Sequence, residues 1–166
     1  MARRRTVLSA ALVAPWLAAC GFQLRQPPNF AFRSIALAVP ANSTLAIELR
    51  RQLEGVGGLQ VITDAAQLAK AEVVLESAGE VRERVVVSVN ATGEVRELTL
   101  RIRFGFRLRT ADGRELLPTG EISRQIDQSY AESAALSKEQ EGLMLYQNMQ
   151  SDIVQQVMRR LATVHL

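Results

Sequence analysis

One cysteine, Cys20, and one histidine, His165, are all the thiol and imidazole that this 166-residue chain contains. A single cysteine excludes an internal disulfide. With one histidine, no His/Cys metal cluster and no Ser-His-Asp or Cys-His catalytic set can be assembled. His165 also stands beside the C-terminus, where chains fray. The glycines form neither a GxGxxG nor a GxxxxGKS/T spacing, so no phosphate-cradling loop is recognisable. Carboxylates are scattered and mostly lie beside arginines, and no motif supports an enzyme. Aromatic residues make up 5% of the chain, so its core is expected to be aliphatic. The apolar run TVLSAALVAPWLAA is shorter than the roughly 20 residues a bilayer span requires.

That run has a different meaning in context. It follows the cationic segment Arg3-Arg4-Arg5 and ends in Leu17-Ala18-Ala19, directly before Cys20. A cationic head, a short apolar core and small residues before a cleavage point describe an export signal. With the cysteine next, the stretch resembles a bacterial lipobox, in which the cysteine sulfur carries diacylglycerol and the new amino terminus carries an N-acyl chain. Residues 1–19 are therefore read as a cleaved lipoprotein signal peptide, and Cys20 as the site of lipidation. Each buried CH₂ contributes roughly 0.8 kcal/mol, so two or three chains anchor effectively permanently. Gly21 rather than aspartate follows Cys20, which by similarity to Gram-negative sorting rules favours the outer membrane.

Removing the signal also removes the apparent basicity. The whole chain has 20 basic and 17 acidic residues and a net charge of +3. Arg3, Arg4 and Arg5 leave with the signal and no acidic residue does, so the mature chain balances at 17 of each. A nucleic-acid binder would retain a basic excess. In the mature chain only Lys70 and Lys138 are lysines; every other basic residue is arginine, whose planar fork suits carboxylate or phosphate.

Residues 20–34 read as a lipidated N-terminal tether, with Pro27-Pro28 favouring extended backbone. Residues 35–166 read as a single α+β domain. A short strand, Ile35 to Val39, precedes a helix that Asn42 or Ser43 caps and whose stripe is Leu45, Leu49 and Leu53. LQVIT is a second short strand, and DAAQLAKAE is at most a helical turn. Two long strands follow, joined by the turn NATG. In the second of them Leu98, Leu100, Ile102, Phe104, Phe106 and Leu108 alternate with polar residues, which places one face on a core. A four-residue turn sets Leu75 opposite Leu108, Val81 opposite Ile102, Val85 opposite Leu98, Glu76 opposite Arg107 and Glu80 opposite Arg103. A further strand follows, with Ile122, Ile126 and Tyr130 on one side. The last element is a long helix, with Ser137 and Gln140 as a capping box and Tyr146, Met149, Ile153, Val157 and Leu161 as its buried stripe. The expected fold is a two-layer α+β sandwich. Two amphipathic helices cover one face of a mostly antiparallel four- to five-stranded sheet with two long central strands.

The opposite face then carries Arg82, Arg84, Arg101, Arg103, Arg107 and Arg109 with Glu76, Glu80 and Glu97. Two readings fit. The charges either neutralise one another on a solvated face through cross-strand pairs, or form a contact surface for a protein wall or a phosphorylated lipid. Gly105 marks either a bulge or a close approach of another backbone.

Three stretches resemble the LPS-assembly lipoprotein family LptE: CGFQLR, NATGEVREL with the strands around it, and SKEQEGLMLYQNMQSDIVQQVMRRL. The resemblance implies two helices on a mostly four-stranded sheet and no catalytic or metal site. It implies no cofactor beyond the covalent lipid, and residence at the periplasmic side of the outer membrane. It further implies a plug inside the LptD β-barrel that assists its assembly and binds lipopolysaccharide during transport. For the barrel contact it points to Arg101, Arg103, Arg107 and Arg109. For lipopolysaccharide it points to Lys138 before the last helix. At the hairpin tip Asn90 and Ala91 stand where the family has a basic residue, and Arg96 and Arg84 are the nearby substitutes. A periplasmic adaptor or carrier lipoprotein holding an apolar ligand is the alternative.

Overall fold

A computed structural model describes residues 28–166. The signal peptide, Cys20, Gly21 and the tether as far as Pro27 lie outside the described residues. Five strands form one sheet: β1 (Ser34–Ala38), β2 (Gln60–Ile62), β3 (Val73–Val89), β4 (Val95–Thr110) and β5 (Glu115–Ser129). Two helices, α1 (Thr44–Glu54) and α2 (Ala135–Ala162), complete the domain, with short 3-10 turns at Ala65–Lys70 and Glu132–Ala134. The strand order is β2-β1-β3-β4-β5. β1 runs parallel to both β2 and β3, whereas β3, β4 and β5 form an antiparallel meander. The sheet is therefore mixed: antiparallel through its three long strands, and parallel at β1, because α1 carries the chain from β1 back to a parallel β2.

Local signals explain the elements. Ser43 caps α1, its side chain accepting from the Ala46 backbone N–H at 3.1 Å. Leu45, Leu49 and Leu53 are fully buried beneath it. On α2 the expected stripe is buried at Met149, Ile153, Val157 and Leu161, and Val154 and Met158 widen it. One core cluster joins these residues to Ile35, Leu37, Val73 and Leu75 and to the Leu100–Leu108 stripe of β4. Each such buried side chain contributes about 1.5–3 kcal/mol. A smaller cluster of Ala36, Ile62, Ala71 and Val74, with Ala38 and Leu68, lies on the other side of the sheet. Alternation along β1 separates the two clusters.

The capping box on α2 does not form. The helix begins at Ala135, out of the preceding 3-10 turn, and its N-cap Ala134 offers no side chain. Ser137 thus lies inside the first turn, where its hydroxyl donates back to the Ala134 carbonyl at 2.9 Å.

The long hairpin departs from the expected register first at Ala78 and again near its tip, around Val87 and Ser88. Leu75 pairs with Leu108 and Glu76 with Arg107, as the alternation predicts. Ser77 pairs with Phe106 and Gly79 with Gly105, which leaves Ala78 without a partner. From this β-bulge as far as Val86 every pairing moves by one residue, and a second irregularity then sets Ser88 opposite Glu97 and Val89 opposite Val95. Val81 faces Arg103 instead of Ile102, Val86 rather than Val85 faces Leu98, and Glu80 faces Phe104 instead of Arg103. A bulge inserts one residue on one strand and reverses the alternation on that strand alone. Val81 and Val85 are consequently turned to the face away from the helices and are exposed, while Arg82 and Arg84 are turned toward the helices. Gly105 belongs to this bulge, since a Cβ there would stand 3.2 Å from the Ala78 Cβ. A Gly105→Val variant is expected to lose about 1–3 kcal/mol through overpacking at this contact. Urea unfolding checks the value.

Candidate functional site

Two polar surfaces follow from that geometry. The first is the sheet face away from the helices, where Arg101, Arg103, Arg107 and Arg109 alternate with the buried stripe of β4. Two glutamates of β3 hold them in pairs. Glu76 accepts from Arg107 at 2.6 Å and from Arg109 at 2.7 Å. Glu83 accepts from Arg103 at 2.7 Å and from Arg101 at 3.5 Å. The alternation expected Glu80 as the second partner. The bulge turns Glu80 away, where it accepts from the Ser43 hydroxyl and from Arg82, and brings Glu83 onto the face in its place. Each carboxylate serves two guanidinium groups, which leaves donors free, and the Arg103 Nε is buried with no partner. On the same face Thr99 donates to Asp127 at 2.6 Å. The exposed Val81 and Val85 stand among these charges.

The Arg109 hydrogen bond, with a smaller contribution from Arg107, holds the Glu76 carboxyl below its ordinary value against the opposing effect of burial.

Arg82 and Arg84 are not on this face. Arg82 donates to the Thr44 hydroxyl at 2.6 Å and to the Gln150 carbonyl oxygen at 2.8 Å, which ties β3 to both helices. Gln150 in turn donates to Glu48 at 2.7 Å, and Ser151 donates to the same carboxylate at 2.7 Å. Glu48 is thereby buried with both oxygens occupied.

The second surface lies where β5 ends and α2 begins. Arg84 pairs with Glu139 at 2.5 Å, and its guanidinium sits 5.5 Å from the centroid of the Tyr130 ring. Lys138 donates to Glu141 at 2.8 Å and to Ser129 at 3.1 Å. Arg84 and Lys138 line one small cleft of ≈ 40 Å³ together with Leu100, Gln128, Glu139, Gly142, Leu143 and Tyr146. Tyr146 donates to the Glu83 carbonyl at 2.7 Å, and burial raises its pKa despite Arg84 and Arg82 nearby. Gln128 donates to the Lys138 carbonyl at 2.8 Å, while its own carbonyl oxygen is buried without a partner. Leu143 lines this cleft and is exposed, as are Leu136 and Met144 elsewhere on α2 and Val86 on β3. Arg96 joins the group through its backbone, whose carbonyl accepts from Tyr130 N–H at 2.8 Å, but its guanidinium bonds Glu94 at the hairpin turn at 3.3 Å. The structure thus brings Arg84 and Lys138 together and holds Arg96 beside the turn.

Glu83, Tyr130, Gln128 and Gly142 escape the sequence reading. Gly142, set within an otherwise strong helical pattern, is the available signal, because glycine inside a helix costs about 1 kcal/mol and needs a packing reason. A Cβ there would meet Gln128 at 3.5 Å. Among the described residues no group of three or more His, Cys, Asp or Glu side chains could hold a metal ion. No described helix is long and apolar enough to cross a membrane.

Residues 32–161 match the model of the lipopolysaccharide-assembly family LptE. The chain is similar to the solution structure of an uncharacterised lipoprotein B from Nitrosomonas europaea, at 31% identity and a TM-score of 0.71, covering 86% of this chain and 90% of that one. It shares its fold with rare lipoprotein B from Shewanella oneidensis, at 21% identity and a TM-score of 0.64, over 78% and 94% of the two chains. A minor lipoprotein from Acinetobacter baumannii has the same fold at 16% identity and a TM-score of 0.63, over 82% and 97%. No curated protein is significantly similar to the chain in sequence.

The Glu76 cluster makes a pH prediction. A carboxyl whose folded pKa is depressed contributes stability above its unfolded pKa and loses it as pH falls through the folded value. Glu76→Gln should therefore lower the melting temperature at neutral pH by about 1–4 °C. It should also flatten the decline on the acid side of the ordinary glutamate range. Thermal melts of both proteins from neutral to acid pH provide the comparison.

Proposed function

Because the chain belongs to the lipopolysaccharide-assembly family LptE, a family of non-enzymatic transport lipoproteins, we propose that it is an outer-membrane lipoprotein that plugs the LptD β-barrel and contacts lipopolysaccharide in transit. In this reading residues 1–19 are removed, Cys20 carries the diacylglycerol and N-acyl chains, residues 20–34 form the tether, and residues 35–166 fold as the one domain that enters the barrel.

The observation that carries the proposal is the outward sheet face. Arg101, Arg103, Arg107 and Arg109 are fixed in pairs by two shared carboxylates, so they form a rigid polar surface with donors to spare. A β-barrel lumen is itself polar, and such a surface can bond to it without burying an unpaired charge. The plug needs no catalytic group, in keeping with the absence of a catalytic motif.

The lipid contact is proposed at the second surface. Arg84 and Lys138 supply cations for phosphate, and the exposed Leu143 supplies apolar area beside them. Arg96 approaches the same phosphate groups from the hairpin turn. The carrier alternative gains no support from the continuous cluster that joins helices to sheet.

Two outcomes test this. The native acylated protein, extracted in mild detergent, should co-purify with a β-barrel partner; recovery of the lipoprotein alone would contradict the plug. Separately, Lys138→Asp should weaken lipopolysaccharide binding by roughly tenfold while leaving the melting temperature nearly unchanged. The lost pair with Glu141 and the gain of an acid at a helix N-terminus are both worth about 0.3–1 kcal/mol and oppose each other. Unaltered binding would remove Lys138 from the site.

A further inference from the structure

The cations of this domain are paired unevenly. Among the described residues ten of the sixteen basic side chains are paired with a carboxylate. Those ten include every cation of the two surfaces described above. The other six are Arg33, Arg51, Lys70, Arg114, Arg159 and Arg160.

All six belong to one end of the domain. Arg33 stands immediately before β1, and its carbonyl accepts from the N–H of Gln60, the first residue of β2, at 2.8 Å. Lys70 closes the 3-10 turn that leads into β3. Val73 of β3 pairs with Ile35 of β1 and with Thr110 of β4, so the turn that carries Arg114 lies at the same end. Both helices run back from the far end, and their last turns bring Arg51 on α1 and Arg159 and Arg160 on α2. Arg160 lies over the Phe106 ring, 5.8 Å from its centroid. The other five are exposed.

The carboxylates of this end do not cancel them. Glu54 is held by Arg50 at 3.8 Å, and Glu72 accepts from the Arg33 backbone N–H at 2.9 Å. Asp112 accepts from the Thr110 hydroxyl, with Arg114 near but unpaired. Glu115 and the C-terminal carboxylate are what remain. The far end has the opposite sign. There Arg84, Arg96 and Lys138 are bonded to Glu139, Glu94 and Glu141, and Glu97 and Glu132 stand in excess.

The cationic end is also where the N-terminal segment joins the domain. Residues 28–33 form one wall of an open cleft of ≈ 670 Å³, and residues 56–59 form the other. Arg33 is the one charged residue that lines it, and Phe30, stacked on Phe32 at 5.1 Å, supplies apolar surface with Val56 and Leu59. Eight peptide steps separate Cys20 from Pro28 and span at most about 29 Å.

We propose that this end of the domain is a docking surface for an anionic phospholipid bilayer, with Arg33, Lys70, Arg114 and Arg159 set against the headgroup phosphates. The proposal rests on the lipid anchor at Cys20 and goes beyond it. An anchor limits only the distance to the bilayer, whereas the cations fix which end faces it. Two features select a bilayer as the partner. The tether holds this end within reach of the headgroups. The cations come from five separate segments of both layers, so they form an end face suited to a flat field of charge rather than a groove suited to a chain. Arginine matches phosphate oxygens with two parallel donors. Attraction of cations to an anionic leaflet acts over a Debye length of about 8–10 Å, and the acidic far end is repelled. The cleft at Arg84 and Lys138 is thereby directed away from those headgroups, since β3 alone, with its 17 residues, extends about 55 Å. The same orientation suits a plug, whose tethered end stays at the periplasmic mouth of the barrel.

The test uses the full acylated protein reconstituted into vesicles. Gly57→Cys, with open space around it, and Ala91→Cys, in the far hairpin turn, each provide one thiol for a fluorophore, because Cys20 is acylated. The vesicles carry a headgroup-attached quencher in phosphatidylcholine, alone or with about one third phosphatidylglycerol. The Gly57 label should be quenched about threefold or more strongly in the anionic vesicles, and about 0.5 M salt should remove the difference. The Ala91 label should be quenched little in either. Arg33→Gln, Lys70→Gln, Arg114→Gln and Arg159→Gln together should equalise the two vesicles at the Gly57 label while the melting temperature stays nearly unchanged; the salt comparison needs no such substitution. Equal quenching of the Gly57 label in neutral and anionic vesicles, or stronger quenching at Ala91 than at Gly57, would overturn the proposal. Failure to float with phosphatidylcholine vesicles would remove the lipid anchor and this proposal with it, whereas flotation with equal quenching removes the docking surface alone. Co-purification with a barrel tests the plug independently.

Discussion

The unpaired residue at Ala78, packed against Gly105, decides what each side of the long hairpin presents. Below it, β3 places Val73 and Leu75 in the core and Glu76 on the outer face. Above it the assignment reverses on β3 while β4 continues undisturbed. Arg82 is thereby turned inward to Thr44 and Gln150, so that one side chain links the hairpin to both helices. Arg84 reaches the start of α2, and Glu83 replaces Glu80 as the second anion of the outer face. Without the extra residue, four charged side chains, Glu80, Arg82, Glu83 and Arg84, would exchange sides together with Val81 and Val85. The link from Arg82 to both helices and the Glu83 pairing of Arg101 and Arg103 depend on this local irregularity.

Those consequences separate two tasks within a small domain. The lower half of the sheet, under α1, is covered on the helix side by the main core and on the other side by the cluster beneath the Ala65–Lys70 turn. The upper half of the hairpin extends past the helices and keeps polar and apolar groups exposed together. The outer arginines are oriented by shared glutamates, and the cations near α2 are oriented by Glu139, Glu141 and the Tyr130 ring. Side chains already fixed in place lose less entropy when they meet a partner, so a partner gains more from each contact.

Much of this was legible in the sequence. Strict alternation from Leu98 to Leu108 identified the core face of β4, and each of those residues is buried. The Leu45, Leu49 and Leu53 spacing fixed the buried side of α1, and Ser43 was a recognisable cap. Leu75 opposite Leu108 followed from matching apolar to apolar. The bulge was hidden for a physical reason: on β3 the valines occupy both odd and even positions, as at Val85, Val86 and Val87, so hydrophobicity does not distinguish two registers one residue apart. The adjacent Ala78-Gly79 and the facing Gly105 were the usable clue, since small residues accommodate the local crowding of a bulge. The capping box failed for a comparable reason. A three-residue spacing of Ser137 and Gln140 is compatible with a helix start, but the chain enters the helix earlier, from a 3-10 turn. Arg84 and Lys138 were read separately, and only the fold places them in one cleft.

The central claim is that the outward face of the sheet, ordered by Glu76 and Glu83, meets a barrel wall. Site-specific photo-cross-linking in cells addresses it most directly. A photoreactive residue replacing Arg107 or Arg101 should give an adduct with an outer-membrane β-barrel protein. The same residue at Ile47, exposed on α1, should give much less. Adducts of equal yield from all three positions, or no barrel adduct from the arginine positions, would contradict the assignment.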